Sequence, residues 1–555
     1  MKAFRLLLAA LLLAPVVALS SVREEANRQL FEALRAQDPE TALYALQSGA
    51  DARAREPDGT TPLHYAAHYG DVRTVTALLK AKADPNAENE FGSKPLAEAA
   101  TSGNAQVIRL LLKAGAEVEA VNPEGQTALM VVARSGRIDA AKLLLKAGAD
   151  VNAREKWAEQ TALMWASAQG HPEMIRLLVK SGAKVDARGA TREWARRITS
   201  EPRPKGMNRG GFTPLLYAAR EGCMECAREL LKAGADIDLP DPDQSTPLLV
   251  ALMNLHFDFA LFLIGQGADV DRWDLYGQTP LYVAIDMNTL PKGGRPDLPS
   301  ADFTTGLQVA EALLAKGANP NIPLKLRPPY RNYIFDRGGD QVLSTGATPL
   351  LRAAKGGDVA AVKLLLEHGA DYKFPTEAGV TPLMAAAGNG HGANPTRGRY
   401  KTDAQAADCA RLLIAAGADV NEATRTRVAP LHSAAGKGWN ETIKVLAAAG
   451  ADLEMADSSG LRPIDHAAGR TARGFLEPET EAKKETMQVL RDLIFAKTGR
   501  EPLEFTPPPA GQGGAGGGRR GGGGAPGAGG PPGAGGPAGG PPGAGPAGAP
   551  APSGR

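Results

Sequence analysis

Residues 126–152 read QTALMVVARSGRIDAAKLLLKAGADVN, and this stretch decides the fold. Thr127 suits a helix N-cap, because its hydroxyl can accept a bond from one of the first unpaired helix N–H groups. A short apolar turn follows, through Leu129, Met130, Val131, Val132 and Ala133, and stops at Gly136. A second helix is predicted from about Ile138 to Ala147, with Ile138, Ala141, Leu144 and Leu145 at helical spacing on one face. Gly148 then stands where a left-handed residue closes a helix, a conformation glycine adopts without a Cβ clash. Two helices this short cannot shield their apolar faces from water alone, so neighbouring units must cover them.

The chain supplies those neighbours. A Thr-Pro-Leu opening recurs at Thr61, Thr213, Thr246, Thr279, Thr348 and Thr381, and looser versions open at Lys94, Thr127, Thr161, Ala429 and Arg462. Successive openings are 33, 33, 34, 52, 33, 33, 69, 33, 48 and 33 residues apart. A period of 33 ending in Gly-Ala-Asp is the mark of a solenoid of stacked helix pairs. The stretches Thr61-Pro62-Leu63-His64-Tyr65-Ala66-Ala67 and Gly417-Ala418-Asp419-Val420-Asn421 closely resemble the ankyrin repeat, over roughly residues 24–500. That resemblance implies an all-α solenoid of about twelve helix-turn-helix repeats, with hairpin-like fingers on one side and a concave binding face. It also implies that His64 and His432, each following Pro-Leu, make structural hydrogen bonds.

Outside the repeats the chain changes character. Residues 1–20 read as an export signal: Lys2 and Arg5 precede an apolar run from Leu6 to Val17, and Ala18-Leu19-Ser20 offers small residues for cleavage. The run is too short for a membrane span, so the mature protein is expected to be exported, periplasmic or secreted, and not membrane-inserted. Residues 24–52 form a degenerate first repeat in which Asp38 and Pro39 start the second helix and the polar residues around Glu24 face solvent. Residues 501–555, almost all Gly, Pro and Ala without a strict triplet period, read as a disordered tail.

The long intervals locate insertions within residues 21–500, near 184–211, 286–302, 319–346 and 389–404. The first and third lengthen fingers; the second and fourth lie between the two helices of a repeat. The last repeat is also stretched, with a second helix expected from Met487 to Lys497, a stop at Gly499 and a polar run from Glu477 to Glu485 as a terminal cap.

Composition narrows the functional classes. The chain has 63 Lys and Arg against 61 Asp and Glu; with Lys2, Arg5, Arg519, Arg520 and Arg555 set aside, residues 21–505 carry 58 against 61, a net of −3. That balance argues against a nucleic-acid partner, which needs a basic excess. Three cysteines in 555 residues exclude a disulfide framework. Cys223 and Cys226 form Cys-Met-Glu-Cys, which alone suggests redox chemistry or half a zinc site. Repeat register places Cys226 at the start of a second helix's apolar face, and no second pair completes a tetrahedral site, so a structural and oxidised pair is expected. No phosphate loop, paired carboxylates or nucleophile elbow is apparent, and no cofactor is expected. His171 and His391 follow a glycine at the turn between helices, while His256, His368 and His466 lie on helices or their ends. None of the last three has a carboxylate or cysteine at ligand spacing.

Aromatic residues in the fingers carry more information. Trp157, Trp194, Trp273 and Tyr276 map there, with Tyr330, Arg331, Tyr333 and Phe335 in the second lengthened finger; Trp165 and Trp439 map to the helices and are expected to be structural. Large rings and arginines dominate binding hot spots, since they cover much area with few rotors. Finger-to-finger packing is the competing role for Trp157 and Trp273. Residues 188–209 hold a local charge of +5, including Arg197, and residues 322–341 one of +2. The expected function is a non-catalytic, monomeric, exported protein-binding scaffold. The alternative is an enzyme or small-ligand binder whose site, with His391 or the cysteine pair, is grafted into the insertions. The leader assignment makes the first prediction: the exported chain should begin within a few residues of Ser21 by intact mass, and retention of Met1 on the exported form would contradict it.

Overall fold

The computed structural model describes residues 22–196, 205–288, 302–326, 328, 342–390, 401–471, 478–503 and 505. Residues 1–21, residues 506–555 and the middles of all four insertions lie outside them, so Arg197, Tyr330, Arg331, Tyr333, Phe335 and His391 receive no structural account.

Each unit starts with a short inner helix and returns through an outer one. In the unit that opens at Thr127 these are Ala128–Arg134 and Ile138–Lys146. The Thr127 hydroxyl accepts from the Met130 N–H at 3.4 Å, as expected of an N-cap. The buried stripe of the outer helix is Ala140, Ala141 and Leu144, with Ile138 and Leu145 only half-buried. This shifts the sequence-predicted face by a fraction of a turn, because the outer helix packs against both its inner partner and the outer helices beside it. Gly148 takes φ +96°, and nothing stands within 4 Å of where its Cβ would be.

Inner helices pack on inner helices and outer on outer along the chain, from the first helix at 22–35 to the last at Glu481–Thr498. Buried alanines at the inner layer (Ala66, Ala67, Ala99, Ala100, Ala133) let these backbones approach closely. The first repeat keeps its expected cap: Asp38 accepts from the Glu40 and Thr41 N–H groups. The last helix starts six residues before Met487, so most of the polar run thought to precede it forms its first turns.

The motif Gly-Ala-Asp-x-Asn acquires a physical meaning here. The Asp carboxylate accepts from the N–H two residues on, as Asp150 does from Asn152 at 2.9 Å, and so shapes the loop. The Asn then reaches the next repeat. Asn152 accepts from the Lys184 N–H at 2.9 Å and donates to the Gly182 carbonyl at 3.0 Å. Asn86, Asn321 and Asn421 make the same two bonds to their following repeats. Asp186, Asp238 and Asp271 hold the position elsewhere and accept from the corresponding N–H. At the end, Glu454 accepts from the Leu503 N–H and pairs with Arg500, so the terminal segment closes the ladder.

The inserted segments are built rather than merely tolerated. Strands Thr191–Arg196 and Lys205–Gly210 form an antiparallel ribbon, with Thr191 opposite Gly210 and Arg196 opposite Lys205; this is a β element in a solenoid expected to be all-α. At the other lengthened finger, Leu324, Val342, Leu343 and Ala347 form a small second core with Tyr282 and Leu351. Among the described residues, no helix is long and apolar enough to cross a membrane.

Two substitutions test this arrangement by thermal or denaturant melting. Gly148→Ala forces an L-residue into the left-handed region and should cost roughly 1 kcal/mol. Asn152→Ala removes two inter-repeat bonds and should cost about 2 kcal/mol. Unchanged midpoints would contradict both assignments.

Candidate protein-binding face

Fingers precede the inner helices, and a recurring turn holds each of them. Five residues before the opening position, an acceptor side chain binds the N–H four residues further on. Asn122 does this to Gln126, Asp241 to Ser245, Asp274 to Gln278 and Asp457 to Leu461, each at 2.8–3.0 Å. Fingers are also tied to one another by backbone: the Leu275 N–H donates to the Asp243 carbonyl, and the Lys325 N–H to that of Tyr276. A rigid row of tips results.

Large apolar side chains remain outside on that row. Phe91 is 62% exposed, Trp157 64%, Leu275 49%, Trp273 43% and Leu326 50%. The Lys325 ammonium stands 3.6 Å above the centre of the Trp273 ring, a cation–π contact across neighbouring fingers. Trp157 presents most of its surface to solvent, while Trp273 combines packing with exposure. Tyr276 is half-buried, and burial pushes its phenol up to about 12. In the ribbon, the register sets positions 192, 194 and 196 against 209, 207 and 205. Alternate strand positions share a face, so Arg192, Trp194, Arg196, Lys205 and Arg209 occupy register positions on a single one.

A second surface was not read from the sequence. The fourth residue after the opening position and the seventh of the previous repeat meet on the inner helices. His68 pairs with Glu98 at 2.8 Å; the Arg134 guanidinium stacks over Trp165 at 5.5 Å; Arg352 and Asp286, both buried, bond at 2.5 Å. Within one repeat, Arg220 stacks over Tyr217 at 5.0 Å and Phe212 at 6.0 Å. Repeat register carried the signal, since Tyr65, Trp165 and Tyr217 all hold the fourth position. Trp165, assigned to the helices, does pack against the core, and it also faces this row. Trp439 lies beside the buried Lys401, whose ammonium donates to the Ala385 and Ala386 carbonyls; burial pulls that lysine down to about 7.

The histidines are mostly scaffold. His64 accepts from the Thr61 N–H through Nδ1 and donates through Nε2 to the Ser93 carbonyl of the next repeat, while burial lowers its basicity. His432 repeats the pattern with Ala429 and Met455. His171 and His256 each contact a carbonyl of the previous repeat at 3.0 Å. His466 departs from expectation: its Nε2 meets the Asp457 carboxylate at 3.0 Å, a partner nine residues upstream that helical spacing does not reveal. Among the described residues no group of His, Cys, Asp and Glu side chains is arranged to hold a metal ion.

The finger turns carry a pH signature. Burial raises the Asp274 carboxyl to about 7 and that of Asp241 to about 6, against an ordinary 3.8, even though backbone N–H groups favour the charged forms. Both bind protons more tightly in the fold than in the unfolded chain. Their stabilisation is thus full below about pH 4 and is lost as the pH rises through 6 and 7. Asn89 and Asn122 fill the same turn position in other fingers. Asp274→Asn should therefore raise the melting midpoint at about pH 8 while leaving it nearly unchanged at about pH 4. An equal effect at both pH values would contradict the assignment.

Comparison with known families agrees with this geometry. The model described as ankyrin repeats (3 copies) matches residues 30–122, 115–189, 156–241, 215–323 and 301–394, and the ankyrin repeat model matches 378–425. No curated protein matches the chain. With overlapping matches running without a break from residue 30 to 425 and the inter-repeat ladder continuing beyond them, the chain belongs to the ankyrin repeat family.

Proposed function

We propose that this protein is an exported, monomeric, non-catalytic scaffold that binds a protein partner through its fingers and inner-helix face. Ankyrin repeats are in general modules of protein–protein interaction, and the observation that carries the reading is the row of exposed rings on rigidly held tips. Rigid aromatic anchors lose little entropy on binding. The ribbon adds basic residues at register positions of one face, on a chain whose 21–505 region is net acidic. An acidic patch on the partner is the complement. Such charges accelerate encounter more than they deepen affinity, so association should slow as salt is added.

Affinity purification of the chain from Ser21 onward tests the reading. A stoichiometric protein partner supports it, and a retained small ligand without protein contradicts it. With the partner in hand, Trp194→Ala combined with Arg197→Ala, or Tyr330→Ala combined with Tyr333→Ala, should weaken binding by about 2 kcal/mol while leaving melting unchanged. Full affinity in both double variants would move the contact to the row of inner-helix pairs.

A further inference from the structure

The cysteine pair is the motif that a binding scaffold leaves unused. Cys223 and Cys226 are joined by a disulfide at the turn between the helices Pro214–Glu221 and Met224–Lys232, the edge away from the fingers. The two sulfurs differ in surroundings. Cys226 is fully buried in the core, whereas Cys223 is only half-buried at the N-cap of the outer helix. The Cys223 sulfur accepts from the Cys226 N–H at 3.3 Å.

Register shows that the fold does not need this bond. The same N-cap position is held by Asp71, Asn104 and Asp358 in other repeats, each accepting from an N–H of the first helical turn, with no covalent link. The residues matching Cys226 (Thr74, Val107, Ala361) are likewise buried without one. A bond closing so short a loop also removes little entropy from the unfolded chain. What the position offers is chemical. The helix N-terminus, which elsewhere receives an Asp carboxylate, favours negative charge on an opened Cys223 sulfur. His256 of the next repeat packs its ring against Gly222, while the Cys223 sulfur lies over Gly170 of the preceding repeat.

We propose that Cys223–Cys226 is a redox-active pair that exchanges with thiols of other proteins, Cys223 being the attacked sulfur and Cys226 the buried leaving and resolving one. Toward a protein bearing two thiols, one incoming thiolate attacks the Cys223 sulfur, forming a mixed disulfide and breaking the Cys223–Cys226 bond. Cys226 leaves as a thiolate and takes up a proton. The second thiol, deprotonated, then attacks the sulfur of the partner's first cysteine and expels Cys223 as a thiolate. The partner is oxidised to a disulfide and the pair is reduced to two thiols, so two electrons and two protons pass to this chain. The exchange is stoichiometric and does not depend on the binding faces described above.

The test uses the full chain and a reduced synthetic peptide carrying two cysteines. Mixing should yield oxidised peptide at up to one equivalent, together with alkylatable thiols at Cys223 and Cys226 by peptide mapping. Oxidised glutathione added to Cys226→Ser should leave one glutathione on Cys223, and Cys223→Ser should acquire much less. Reduced and oxidised wild type should melt within a few degrees of each other. The proposal is overturned if no peptide is oxidised, if Cys226 is modified as readily as Cys223, or if reduction alone unfolds the repeat.

Discussion

One bond type fixes the relation between most successive repeats: the side chain two residues after the Asp of Gly-Ala-Asp accepts the backbone N–H of the next segment, except where Arg53 or Lys373 holds the position. It passes from Asn86 to Glu117, from Asn152 to Lys184, from Asn321 to Asp371 and from Asn421 to Asp452 at 2.7–2.9 Å. Apolar stacking of short helices is strong but non-directional, and by itself it does not set rotation between layers. A hydrogen bond with a fixed donor and acceptor does. Because it links only neighbours, an insertion inside one repeat leaves all the other rungs intact. The ribbon after residue 190 and the added finger after residue 322 are accommodated in this way; Asp186 still reaches Asp236, and Asn321 still reaches Asp371, across them.

Fixed layer geometry makes both the fingertip row and the row of inner-helix pairs possible. On the inner helices, the seventh residue of one repeat meets the fourth of the next wherever side chains are long enough. That relation yields a hydrogen bond at His68 and Glu98, a cation–π contact at Arg134 and Trp165, and a buried ion pair at Asp286 and Arg352. The same chemistry that joins neighbours also gives each repeat a distinct surface. At the fingertips, side-chain turns and tip-to-tip backbone bonds hold Trp157 and Trp273 outward in a fixed array.

Much of this was legible in the sequence, for a physical reason. Helix starts, glycine stops and the repeat period are local, and local chemistry writes itself into consecutive residues; Thr127 and Gly148 behave as their types require. What stayed hidden depends on distances between repeats. The burial of Ala140, the Asp457–His466 contact and the Arg134–Trp165 stack are set by packing, which no single window contains. The ribbon pairing was hidden for another reason. The strands Thr191–Arg196 and Lys205–Gly210 lack the apolar alternation of a half-buried strand, being rich in arginine and glycine, so only the backbone pairing reveals them as β structure.

Amide hydrogen exchange on the apo chain examines the central claim most directly. If the ladder sets the geometry, the N–H groups of Glu117, Lys184, Asp371 and Asp452 should exchange as slowly as the neighbouring outer helices, although they lie in exposed loops. Replacing Asn152 with alanine should then release Lys184 while leaving Glu117 and Asp452 protected. Exchange of all four at the rate of unstructured loops in the unaltered chain would contradict the account.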